Sequence, residues 1–159
     1  MHNPYLLECS VDDQLLRLSA AGRVVATYPV STAAKGVGQA QESFRTPVGR
    51  FRVAEKVGAD APVGTVFSAR IPTGRWRPGD PAAGDLVLTR ILRLEGLDPD
   101  NANTMDRCIY IHGTNREDLI GTPASHGCIR MRNADVIELF DLVPEGTPMI
   151  IHPPARTAS

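Results

Sequence analysis

The sequence predicts a mainly β fold with one clear α-helix late in the chain. Short apolar segments, several with a period of two, recur between turn signals, and only one window carries apolar residues at helical spacing. No repeat, low-complexity tract or linker interrupts the 159 residues, a length that suits one domain spanning 1–159.

The first segments, LLECSV, LLRLS and RVVATYPV, are separated by Asp12-Asp13 and Ala21-Gly22 and read as a β-meander from Tyr5 to Val30. STAAKGVGQAQES is small and polar and reads as a long loop. In TPVG, residues 46–49, the proline is placed to start a turn, and FRVAEKV then alternates as a strand. VFSARI, LVLTRILRL and CIYIHG are further strands, with GRWRPGD at 74–80 a surface loop. Asn133 is placed to cap the helix, along which Val136, Ile137, Phe140 and Val143 recur before PEGTP ends it, and MIIH is the last strand.

A formal net charge of -1 lacks the basic footprint that phosphate-backbone binding requires, so nucleic acid is not expected as a partner. No uninterrupted apolar stretch approaches membrane-spanning length, and MHNPYLLECS has no basic region followed by an apolar run. The expectation is a cytoplasmic chain, periplasmic only if a leader has been removed. Three cysteines, an odd number without paired spacing, fit a reducing compartment.

SHGCIRMRN, residues 125–133, carries the chemistry. If extended, it places His126, Cys128, Arg130 and Arg132 on one face and Ile129 and Met131 on the other, so Cys128 is not in the apolar company that a packing cysteine keeps. Cys9 and Cys108, each within an apolar strand, are read as core residues. Zinc is disfavoured because Cys108 and His112, four strand steps apart, are separated by about 13 Å, too far for ligands of one tetrahedral ion. A Cys108–Cys128 disulfide stays open on sequence alone. For a nucleophile, the segment offers His112 or His126 as base, Arg130 as a charge to lower the thiol pKa, and Gly127 as a bend that aims backbone N–H groups at an oxyanion. His2 and His152 are read as ordinary surface or core residues, and spacing alone does not choose between His112 and His126.

These residues resemble the L,D-transpeptidases with their YkuD-type catalytic domain, whose signature is a histidine, a variable stretch and Ser/Thr-His-Gly-Cys. Here that is His112 and, ending sixteen positions on, Ser125-His126-Gly127-Cys128. YPVSTA, TPVGRFRV, YIHGT and NADVIELFDLVPEGTP extend the likeness over nearly the whole chain. The resemblance implies a β-sandwich-like fold acting on peptidoglycan stem peptides or muropeptides without a cofactor. It implies Cys128 as nucleophile, His112 as base, the Gly113 carbonyl orienting the imidazole, and amides of His126, Gly127 and Cys128 as the oxyanion hole. Ser125 and Arg130 fall to substrate binding. Many members have asparagine where this chain has Arg130, whose guanidinium suits a carboxylate.

The implied reaction releases terminal D-alanine from a tetrapeptide through a thioester. Short leaderless members that this chain resembles are L,D-carboxypeptidases of murein recycling, with water as acceptor. The alternatives are a 3→3 cross-linking transpeptidase and a binding module that recognises wall peptides without turnover.

Overall fold

The computed structural model describes residues 3–81 and 84–155. Strands β1 (Tyr5–Ser10), β2 (Leu15–Ala20) and β3 (Arg23–Ser31) form the expected antiparallel meander. β4 (Gly49–Val57), β5 (Thr65–Ser68), β6 (Ile71–Arg75), β7 (Val87–Gly96), β8 (Tyr110–Gly113) and β9 (Ile129–Met131) follow, then helix α1 (Asn133–Leu142) and β10 (Pro148–His152). The sheet order is β4-β10-β1-β2-β3-β9-β8-β7-β5-β6, and a β4–β7 pairing joins eight strands into a closed ring with the β5–β6 hairpin attached outside β7. Closure removes the two free sheet edges that an open arrangement of those eight strands would expose.

The main core lies inside the ring, built from alternate residues such as Leu7, Leu16, Val30, Phe51 and Ile111, and α1 seals it with Val136, Leu139 and Phe140. Each such side chain contributes roughly 1.5–3 kcal/mol through burial. Phe67, Ile91 and Tyr110 form a smaller apolar cluster against which Cys128 packs. Among the described residues no helix is long and apolar enough to cross a membrane.

Four local expectations are corrected. VFSARI is not one strand, because Ala69 and Arg70 both take positive φ, 49° and 66°, and turn β5 back into β6. Arg75 of the expected loop therefore belongs to β6. TPVG makes no turn: Thr46 is buried and its hydroxyl accepts the Ala33 N–H (2.9 Å), so the segment runs extended into β4. Cys108 lies outside β8, exposed and with φ 57°, because the chain is still turning when it reaches the strand that Tyr110 begins. Asn133 does not cap α1 but is its first residue, the cap position being Arg132. Its N–H meets the Glu117 carboxylate (2.7 Å) instead. Cys9 is fully buried as expected, His152 is on the surface beside Glu8 (2.9 Å), and His2 lies outside the described residues.

Leu139→Ala should cost roughly 2–5 kcal/mol in denaturant unfolding, since it opens a cavity where helix meets ring. Val25→Thr, on the outer face and 56% exposed, should change stability by no more than about 0.5 kcal/mol.

Candidate functional site

β8 and β9 run parallel, with His112 opposite Arg130 and Ile111 opposite Ile129. Parallel neighbours share a face, so His112 and Arg130 point to one side while Ile111, Ile129 and Met131 enter the main core. The alternation expected for SHGCIRMRN therefore holds from Ile129 to Met131. It does not hold before that, because Ser125–Cys128 is a bend in which Gly127 takes φ 129°. A Cβ on Gly127 would meet the Arg45 carbonyl and Ile109 at 3.3 Å in a conformation that L-residues avoid.

The bend is braced from within. Ser125 Oγ donates to the Cys128 carbonyl (2.6 Å) and accepts the Gly127 N–H (3.2 Å), while Thr46 Oγ1 donates to the Gly127 carbonyl (3.0 Å). Ser125, expected at the substrate, is buried and its hydroxyl braces its own turn. The Gly127 amide is likewise turned inward.

His112 is buried, with Nδ1 2.6 Å from the Gly113 carbonyl. A carbonyl only accepts, so Nδ1 carries the proton and Nε2 keeps its lone pair. Burial holds the imidazole below the ordinary histidine value, although the bond to Gly113 and the nearby Asp85 charge pull it up. His126 is exposed, edge-on to Phe44 and 3.5 Å from Asp85 Oδ2. Of the two histidines, only His112 has its tautomer fixed by a buried bond.

Gly113 is itself clamped. Asn133 Oδ1 approaches so closely that a Cβ on Gly113 would lie 2.3 Å from it, and 2.8 Å from the Leu88 carbonyl. Asn133 donates through Nδ2 to the Thr114 carbonyl (2.9 Å) and to Glu117 (3.0 Å), and its Oδ1 accepts from Thr89 Oγ1 (2.6 Å). Thr89 sits in a bulge of β7 with φ 76°, a strained value for a β-branched residue that aims its hydroxyl at this network.

Cys128 is half-buried against Phe67, Ile91 and Tyr110. Its sulfur accepts the Tyr110 N–H (3.3 Å) and donates to the Cys108 carbonyl (3.4 Å). All three cysteines are free thiols. The expectation of a lowered thiol pKa is reversed: burial pushes Cys128 up to about 12, Asp85 pushes the same way, and the Tyr110 amide and Arg130 pull back only in part. Arg130 is not a free charge, because its Nη2 lies 2.8 Å from Asp85 Oδ2. Thiol and imidazole are both neutral at rest.

Two cavities meet at His126. One of about 240 Å³ is lined by Asp85, Arg116, Leu119, Ala124 and Arg130, and one of about 200 Å³ by Glu42, Phe44, Arg107 and Ile109. A larger cavity of about 440 Å³ lies beyond Asn133, between Trp76 and Glu117, and touches neither Cys128 nor His112. Sequence reasoning missed Asp85, Thr46, Thr89 and the Tyr110 amide. Asp85 lies far upstream in a Gly/Pro loop with no spacing relation to Arg130, and a backbone donor has no sequence signal.

The model of the L,D-transpeptidase catalytic domain family, YkuD, matches residues 4–151. The chain belongs to that family. It is 33% identical over 150 residues to the Bacillus licheniformis protein named "Putative L,D-transpeptidase YkuD", covering 94% of this chain and 67% of that one. The Bacillus subtilis protein of the same name is 32% identical over 149 residues, with 94% and 66% covered. "Putative L,D-transpeptidase YqjB" of Bacillus subtilis is 45% identical over 69 residues, 36% of this chain and 39% of that protein. The chain thus spans between about two fifths and two thirds of the length of these relatives. Among solved structures, the L,D-transpeptidase of Mycobacterium smegmatis superposes with a TM-score of 0.61 at 22% identity, over 94% of this chain and 59% of that one. A Xylanimonas cellulosilytica L,D-transpeptidase gives 0.62 at 22%, over 96% and 62%. At that identity the two structures establish the shared fold, mostly strands with a single α-helix as the sequence predicts.

Alkylation at neutral pH should modify exposed Cys108 well before Cys128. The Cys128 rate should climb about tenfold per pH unit from 7 to 10 without a plateau, following its thiolate fraction. Peptide mapping after iodoacetamide labelling measures both, and a plateau for Cys128 below pH 8 would contradict the raised pKa.

Proposed function

We propose that this protein is a cysteine acyl-transfer enzyme acting at the L,D amide bond of peptidoglycan stem tetrapeptides. The observation that carries the reading is the buried His112 whose Nδ1–H is committed to Gly113, leaving Nε2 as a base on the sheet face it shares with Arg130. The Cys128 sulfur accepts the N–H of Tyr110 (3.3 Å), two residues before His112, so the thiol lies beside the strand that carries the imidazole.

In this reading the Cys128 sulfur attacks the carbonyl carbon of the third stem residue while His112 Nε2 takes the thiol proton. Because both groups start neutral, proton transfer accompanies attack instead of preceding it. The amides of His126 and Cys128 stabilise the oxyanion, and Gly127 supplies the bend that aims them. The C–N bond then breaks, the imidazolium passes its proton to the departing D-alanine nitrogen, and a thioester remains. Arg130 holds a substrate carboxylate.

Water is the proposed acceptor. It attacks the thioester, gives a proton to His112, and the S–C bond breaks to restore the thiol. Such an L,D-carboxypeptidase trims tetrapeptides to tripeptides, a recycling task performed in the cytoplasm, away from the assembled wall.

Incubation with a defined tetrapeptide should release D-alanine and tripeptide without an added amine, read by mass spectrometry. Cross-linked dimers as the main product would reassign the acceptor to an amine. No turnover, together with no mass added to Cys128 by a carbapenem, would leave only a wall-peptide binding module. His112→Ala should lower thioester formation by roughly 10²–10⁴-fold, more than His126→Ala. The acid limb of kcat/KM should fall below 6.5: a base held below the ordinary histidine value stays deprotonated as pH drops through that value, and activity is lost only lower.

A further inference from the structure

Arg130 is 3% exposed, yet its guanidinium makes a single ion-pair contact, from Nη2 to Asp85 Oδ2 at 2.8 Å. Its Nε and Nη1 are shut from solvent and have no partner among the described residues, and the same holds for Asp85 Oδ1. Arginine and a carboxylate can pair through two parallel bonds, and here only one is made. Three buried polar atoms left unmatched are costly, because each has lost its water and gained nothing. The pair is thus a poor structural ion pair, with a carboxylate placed on the guanidinium but not seated in its fork.

The same two side chains line the cavity of about 240 Å³. Arg116, also in its wall, is held by both oxygens of Asp118 at 3.0 Å, so Arg130 is the buried cation there with donors to spare. Arg130 lies two residues beyond Cys128, and both Asp85 and Arg130 act electrostatically on Cys128 and His112. Two extended residues span about 6.6 Å. In a peptide with a free C-terminus, the α-carboxylate of the last residue lies only a few bonds beyond the carbonyl that links it.

We propose that Asp85 is an internal stand-in for the substrate's terminal carboxylate. It rests on Arg130 in the free enzyme and is displaced when the α-carboxylate of the leaving D-amino acid takes the bidentate seat, so the site selects stems that end in a free acid one residue past the bond to be cut. This rests on the reading of Cys128 as the attacking group, and makes Asp85 a specificity-determining residue.

The test uses the full chain with D-alanine and D-alaninamide as probes, binding being followed by calorimetry and by the shift in Tm. Asp85→Asn removes the internal competitor and should tighten D-alanine binding about tenfold, with no gain for D-alaninamide. Asp85→Glu, which keeps a carboxylate, should stay near the parent. Asp85→Asn should also melt lower, its buried arginine uncompensated, and D-alanine should restore more of its Tm than of the parent's. In turnover, a tetrapeptide amidated at its C-terminus should show a raised KM against the free acid, and Asp85→Asn should lower KM for the free acid alone. If D-alanine and D-alaninamide behave alike in both proteins, or if Asp85→Asn weakens D-alanine binding, the stand-in role is overturned. D-alanine binding that tightens in Asp85→Asn without turnover of either tetrapeptide would keep the carboxylate seat while removing the peptidase reading. Turnover indifferent to the C-terminal amide would do the reverse.

Discussion

The bond from His112 Nδ1 to the Gly113 carbonyl is short, buried and made within one dipeptide, and the rest of the site depends on it. It decides the imidazole tautomer and so which nitrogen keeps a lone pair. A carbonyl of the next residue points back at the ring only if the backbone there is held rigidly, and Asn133 and Thr89 do the holding. Asn133 fills the space where any side chain at position 113 would sit, bonds the Thr114 carbonyl and Glu117, and is itself fixed by a hydroxyl that a strained bulge presents. The first residue of α1 therefore serves the active face more than it serves the helix.

The surroundings of Cys128 are at odds with a preformed thiolate. An apolar cluster on one side and the Asp85 charge on the other both favour the protonated sulfur, and the one buried arginine nearby is neutralised. Such a site stores no thiolate–imidazolium pair. In the proposed mechanism the sulfur stays protonated until an acyl carbon and the base are both in place, which protects the thiol from adventitious electrophiles. Arg130 shows the same economy: its charge stays hidden beneath a carboxylate from its own chain.

Much of the fold was legible because it follows local periodicity. The meander, β4, β7, β10 and the helix all stand where alternation or helical spacing placed them, since each has one face against a common core. The misses share a cause in backbone geometry that side-chain pattern does not encode. VFSARI alternates well enough for one strand, but two consecutive positive φ values at Ala69-Arg70 fold it in half, and CIYIHG looks like a strand one turn before it becomes one. Asn133 has the residue type of a cap, and tertiary partners claimed its amide instead.

By itself the sequence determined that the chain is mostly strands, that a histidine and a Ser-His-Gly-Cys run carry the family's signature, and that Ile129 and Met131 face the core, because these follow from residue type and period two. Tertiary structure alone decided that His112 and not His126 is buried with a fixed tautomer, that Ser125 is consumed by its own turn, that the thiol is raised instead of lowered, and that Asp85 covers Arg130. Those outcomes depend on desolvation and on partners distant in the chain. Neither is a function of spacing, since burial and electrostatic contact exist only once the ring has closed.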